Sequence, residues 1–124
     1  MDLDLTSEQE LLRETTERFI TDTFPLARVR TRVDGDDGVP PGYGLDAAQL
    51  GWFASLAPES LGGGSVSGSG VLDAAILAEE RGKQLQPGAF IDTNVVVATL
   101  STEGTSGQQA KVLPALIGGE ASAV

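Results

Sequence analysis

The chain has 124 residues, 18 acidic against 8 basic for a formal net charge of -10, and contains neither cysteine nor histidine. That length suits one domain able to bury a core without disulfides or metal. The missing residue types remove disulfides, thiolate ligands and the commonest general base, and the acidity repels a nucleic-acid backbone, so no nucleic-acid partner is expected.

The opening MDLDLTSEQE carries acid where a signal or transit peptide needs basic charge. No apolar run approaches the roughly 18 residues needed to span a bilayer. A soluble, cytoplasmic protein is therefore expected. With aromatics at only 5 % of residues, aliphatic side chains are expected to fill most of the core.

Thr6-Ser7-Glu8-Gln9 reads as a capping box, in which the Thr6 hydroxyl accepts from the Gln9 amide and the Gln9 side chain reaches back. Glu8 and Glu10 place negative charge where the helix dipole favours it. Leu12, Thr16, Phe19, Ile20 and Thr23 then recur at three- and four-residue spacing, which predicts an amphipathic helix over 7–23. Pro25 breaks that run and starts a short helix over 26–33. Its Arg28, Arg30 and Arg32 alternate and so diverge, favouring a solvated basic face over a site for an anionic ligand or acidic partner.

Residues 34–44, DGDDGVPPGYG, read as a flexible connection. Asp34, Asp36 and Asp37 invite calcium, but the twelfth position counted from Asp34 is Leu45 rather than a closing glutamate, so no metal is expected. Residues 45–53 predict a brief helix that buries Leu45, Ala48, Leu50 and Trp52, with Trp52 read as core rather than as a ligand platform.

Pro58-Glu59-Ser60-Leu61 followed by Gly62, Gly63 and Gly64 is a shaped turn, because glycine reaches backbone conformations that other residues avoid. It lacks the lysine of a Walker loop and the strand–helix context of a dinucleotide loop. Residues 65–70, SVSGSG, read by composition as a flexible linker, and within a folded domain as an ordered entry to the next helix.

A second strong helix is predicted over 71–86, with Leu72, Ala75, Ile76 and Glu79 marking its period. Glu79 and Glu80 point about 100° apart on such a helix, so surface or capping roles are favoured over a paired acid and base. After Pro87 and Gly88, residues 89–100, AFIDTNVVVATL, are apolar around most of a helical circumference. Three successive valines also permit a buried strand; helical surroundings favour helix. Ser106-Gly107-Gln108-Gln109 reads as a second capping box. The last helix is expected over 107–117 with Val112, Leu113 and Leu116 inward, ending at Gly118 and Gly119. The fold class expected is all-α, an orthogonal bundle of about five to six helices.

Four stretches follow in one order: the opening helix, LGWFASLAPESLGGG from Leu50, AEERGKQL from Ala78, and GTSGQQAKVLPALIGGE from Gly104. Together they resemble the N-terminal helical domain of the acyl-CoA dehydrogenase family. LGWFASLAPESLGGG resembles its GW–x–PE–x–x–GG turn, AEERGKQL its E-E-x-G, and GTSGQQAKVLPALIGGE its G-x-x-x-Q-x-x-x-x-L-P-x-x-x-x-G-E. The family usually has an aromatic or other large residue before the paired glycines, where this chain has Leu61.

The resemblance implies a flavoenzyme of three domains, with FAD lying mainly between a middle β-barrel and a C-terminal four-helix bundle. It implies that a glutamate, usually in the C-terminal part, takes the α-proton while hydride passes from the β-carbon to the flavin. Residues 1–124 are expected to form only the first domain, with the β-barrel and bundle absent and with no catalytic, cofactor-binding or metal residue. By position, the resemblance assigns Phe90, Ile91, Asn94 and Val95 to a wall of the acyl-chain pocket; the alternative is that these four are only core.

The implied partners are acyl-CoA, through the full enzyme, and the remaining dehydrogenase domains or a partner subunit in a homo- or hetero-oligomer. The chain alone is expected not to turn over substrate. The alternative function is a free-standing helical interaction module, or a non-catalytic subunit of a split or heteromeric dehydrogenase.

Overall fold

The computed structural model describes residues 3–33 and 39–124. The calcium reading at Asp34, Asp36 and Asp37 and much of the expected 34–44 connection lie outside the described residues. Six helices follow one another: α1 (Ser7–Thr23), α2 (Leu26–Val33), α3 (Tyr43–Gln49), α4 (Gly70–Lys83), α5 (Phe90–Glu103) and α6 (Ser106–Ile117). One 3₁₀ turn, Glu59–Leu61, joins them, and no strand occurs among the described residues.

The first helix follows its local chemistry. The Gln9 amide donates to Thr6 Oγ1 at 3.2 Å, and Gln9 Oε1 accepts from the Thr6 amide at 2.9 Å. Both satisfy donors that a helix start otherwise leaves unpaired. Gln9, Leu12, Thr16 and Ile20 form the buried side, and the Phe24 amide closes the last turn on Ile20 before Pro25.

The third helix begins and ends earlier than expected. Gly42 precedes it at φ 77°, and Gly51 at φ 83° turns the chain two residues after it ends. Its buried side is therefore Tyr43 and Ala47, while Leu45 stands exposed. Trp52 enters the core from the turn, not from the helix.

In the glycine turn, Gly62 and Gly64 take φ 89° and 145°, conformations that favour glycine. Gly63 is needed for space instead. A Cβ there would lie 2.5 Å from the Ala57 Cβ and 2.7 Å from the Ala54 carbonyl oxygen.

Residues 65–70 are not a loose linker. The Asp73 carboxylate accepts from Ser65 Oγ and Ser67 Oγ, each at 2.5 Å, and from the Ser67 amide at 3.3 Å. Gln9 Nε2 donates to Ser67 Oγ at 3.4 Å, tying the segment to α1. Serine-rich composition suggested flexibility; a buried carboxylate collecting the hydroxyls orders it.

The inward side of α4 is Asp73, Ile76, Leu77, Glu80 and Arg81, whereas Leu72, Ala75 and Glu79 face outward. The expected stripe was thus rotated, because three polar residues find partners: Ser65 and Ser67 for Asp73, Lys83 for Glu80, and the Gln86 and Pro87 carbonyls for Arg81. Glu80 is not a surface residue: it is buried and pairs with Lys83 at 2.8 Å. The helix stops at Lys83 rather than 86, and Leu85 takes φ 49° in the turn that follows.

Helix α5 runs on to Glu103, and the second capping box lies one residue earlier than expected, on Thr105 and Gln108. Gln109 is thereby freed to donate from Nε2 to the Leu100 carbonyl at 2.9 Å, joining α6 to the end of α5. Leu113 and Leu116 are buried, and Val112 is half-exposed.

The core has two parts. Ala57, Val97, Leu113 and Leu116 hold α5 and α6 together. The larger part, between α1, α3, α4 and the start of α5, contains Phe24, Tyr43, Trp52 and Phe90, with Phe19 and Phe53 packed against it. These are all six aromatic residues of the chain, so its aromatics are few but gathered in one place. Trp52 is fully buried and meets Phe19, Tyr43 and Phe90 edge-on at 5.6, 5.8 and 6.2 Å between centroids. Edge-to-face pairs of this kind favour one fixed arrangement of rings.

Candidate functional site

The four residues assigned to the acyl pocket divide between two sides of α5. Phe90 and Asn94, one turn apart, are buried at 5 % and 4 % exposure, whereas Ile91 and Val95 are 60 % and 56 % exposed. Asn94 Nδ2 donates to the Trp52 and Phe90 carbonyls, both at 3.0 Å, while its buried Oδ1 has no partner. Asn94 therefore fastens α5 to the turn that carries Trp52.

The outer side is less polar than its sequence suggests. Thr99 and Thr102 follow Val95 along it, and their hydroxyls donate back to the Val95 and Ala98 carbonyls at 2.8 and 3.2 Å. Hydroxyls bonded to the preceding turn leave methyl groups to face outward. Ile91, Val95, Thr99 and Thr102 thus form an uncharged, largely apolar strip.

At the start of α5 lies a cavity of about 360 Å³, lined by Tyr43, Trp52, Phe53, Arg81, Phe90 and the segment from Gly119 to Ser122, among others. Arg81 was not singled out in the sequence. It lies four residues after Leu77, on the inward side of α4, and that spacing was the available signal. Its guanidinium carbon is 4.8 Å from the Trp52 ring centroid and 4.7 Å from that of Phe90. Nη2 donates to the Gln86 and Pro87 carbonyls at 3.4 and 3.1 Å. Desolvation lowers the Arg81 pKa, with nearby Tyr43 opposing. The Tyr43 hydroxyl donates to Gln86 Oε1 at 2.6 Å, and burial raises its pKa.

Among the described residues, no three acidic, histidine or cysteine side chains are grouped to hold a metal, and no helix is long and apolar enough to cross a membrane. The sequence model of the acyl-CoA dehydrogenase N-terminal domain matches residues 6–120.

The chain belongs to the acyl-CoA dehydrogenase family.

This dehydrogenase domain is 32 % identical over 101 residues to acyl-CoA dehydrogenase IpdE2 of Mycolicibacterium smegmatis (strain ATCC 700084 / mc(2)155). The match covers 81 % of this chain and 32 % of that protein, so the chain spans about a third of the length of its curated relative. No solved structure matches.

The acyl-CoA dehydrogenase family implies FAD, whose diphosphate needs converging donors or cations. The described basic groups do not converge: Arg13 pairs with Glu10, Lys83 with Glu80, and Arg28 and Arg30 are exposed on α2. Arg81 is a single buried cation. By themselves, the described residues of this dehydrogenase domain do not fit a flavin diphosphate.

Proposed function

We propose that the domain forms a wall and base of the acyl-chain pocket in an FAD-dependent enzyme that desaturates acyl-CoA thioesters between the α- and β-carbons. It also takes part in packing against the rest of the enzyme, and alone it is not catalytic. The observation that carries this reading is the two-sided character of α5. Phe90 and Asn94 anchor the helix to Trp52, which leaves Ile91 and Val95 as a rigidly held apolar strip. Apolar surface on a fixed helix is what an acyl chain requires of a pocket wall. Flavin and the base for the α-proton are carried by protein outside residues 1–124, in the β-barrel and four-helix bundle or in a partner subunit.

The test is to purify the 124-residue chain alone and together with protein bearing those parts. Alone, it is expected to be colourless and to leave an electron acceptor unreduced in the presence of acyl-CoA. The assembled enzyme should be yellow and active, and Ile91→Asp or Val95→Asp should raise its KM for acyl-CoA by about tenfold or more, since each puts a charge against an apolar chain. Stoichiometric flavin on the lone chain, or an unchanged KM in both variants, overturns the reading. A second reading, a helical interaction module, is favoured by Leu11, Val66, Val71 and Leu72, all more than half exposed. It predicts co-purification of a second chain without flavin or turnover.

A further inference from the structure

We propose that the cavity at the start of α5 receives a carboxylate borne on an apolar group, and that Arg81 is the residue that reads it. Arg81 is only 7 % exposed, yet no carboxylate of the described residues pairs with it; the ion pairs there belong to Arg13 and Lys83. A buried cation is costly unless paired. Its contacts only partly compensate. The Trp52 and Phe90 rings lie against it, and the carbonyls of Gln86 and Pro87 engage one nitrogen, Nη2. Tyr43 also engages the guanidinium, but all these partners are neutral, so among the described residues no carboxylate balances the charge.

A guanidinium is a planar fork. Trp52 and Phe90, set at 84° to each other, hold its Cζ at 4.8 and 4.7 Å from their ring centroids, and such a fork can give two parallel bonds to a carboxylate. The cavity is of a size used for small-molecule ligands, and Trp52, Phe53, Pro87, Ala89 and Phe90 supply its apolar lining. Glu120, exposed, lines the same cavity and repels anions, so a bare anion is disfavoured and one with an apolar body is selected. In a chain of net charge -10, this is a buried positive group with which no carboxylate of the described residues pairs.

Only the natural ligand's identity rests on the pocket-wall reading: there, the carboxylate is the far end of an acyl group held as its CoA thioester. A free carboxylic acid offers the same chemistry.

Trp52 is the single tryptophan and touches Arg81, so its emission reports on the site. Titration of the 124-residue chain with hexanoate should give a saturable change, with binding about tenfold or more weaker for hexanamide, which lacks the charge. Arg81→Met should lose hexanoate binding to a similar degree while keeping its helical circular dichroism, and Glu120→Gln should bind hexanoate more tightly. Absence of a saturable response, equal affinity for hexanamide, or full affinity in folded Arg81→Met overturns the proposal. Should Arg81→Met not fold, the hexanoate–hexanamide comparison and Glu120→Gln still decide it.

No flavin or partner is needed, so this test and that of the pocket wall fail separately. In the assembled enzyme, Arg81→Met should lower the preference for adipoyl-CoA over hexanoyl-CoA about tenfold if the acyl group is the source. An unchanged preference together with lost hexanoate binding assigns the site to a free acid.

Discussion

Replacing Gly63 by alanine adds one methyl group where the turn after the 3₁₀ segment has no room for it. The new Cβ would lie 2.5 Å from the Ala57 Cβ and 2.7 Å from the Ala54 carbonyl oxygen, where ordinary contact begins at 3.4 Å. Neither neighbour is the end of a flexible side chain, so backbone must move. The same backbone carries the Gly63 amide bond to Pro58 at 3.1 Å and the Gly64 bond to Ala54 at 2.9 Å.

Overpacking of this kind costs about 1–3 kcal/mol, and losing one of the two hydrogen bonds about 1 kcal/mol more. Against this, alanine lowers the entropy of the unfolded chain by about 0.4–1 kcal/mol. The net expectation is a loss of about 1–4 kcal/mol, or roughly 4–14 °C in Tm for a chain of this size. Gly82→Ala is the control, since a Cβ there meets nothing within 4 Å in the last turn of α4. It should gain about 0.5–1 kcal/mol. Urea and thermal unfolding, followed by Trp52 emission and circular dichroism, measure both. If Gly63→Ala matches the parent, the close approach of the turn to Ala54 and Ala57 does not govern stability and the reasoning fails.

Asp73→Ala should loosen residues 65–70, because Ser65 and Ser67 lose their common acceptor. Hydrogen exchange at the Ser67 amide should quicken, and a segment already flexible in the parent would show no change. Asn94→Ala should cost about 1–3 kcal/mol, by leaving the buried Trp52 carbonyl without its donor. Asn94→Asp should cost more, because it turns a carboxylate towards two carbonyl oxygens; equal urea midpoints for these two variants would refute the anchoring role. Burial holds the Tyr43 pKa above its ordinary 10.0, against an opposing pull from Arg81. The folded state then keeps a proton that the unfolded chain releases, so this contribution to stability is intact below pH 10 and is lost as pH rises through the raised value. Urea midpoints across that range should fall in the parent and fall less in Tyr43→Phe.

The candidate site was only half legible. Its position on α5 came from a family resemblance, and the all-round apolar character of 89–100 could not say which residues face inward. Phe90 and Asn94 went in because the Trp52 turn supplies aromatic edges and a carbonyl to meet them. Ile91 and Val95, both more apolar than Asn94, were left outside.

What the chain settles by itself is local. The Thr6–Gln9 box, the break at Pro25 and the glycine turn lie within a few residues of the groups they satisfy, so neighbouring side chains and backbone geometry suffice to set them. The inward side of α4 is different. A periodicity reading sorts side chains by polarity and puts Asp73, Glu80 and Arg81 in water. Burial admits them because Ser65 and Ser67, Lys83, and the rings of Trp52 and Phe90 reach them in the folded chain. A polar group is buried when its partner arrives. Lys83 reaches Glu80 from one turn along the same helix, and Ser65 and Ser67 reach Asp73 from the segment just before it. The rings around Arg81 come from other segments, brought together only by tertiary packing.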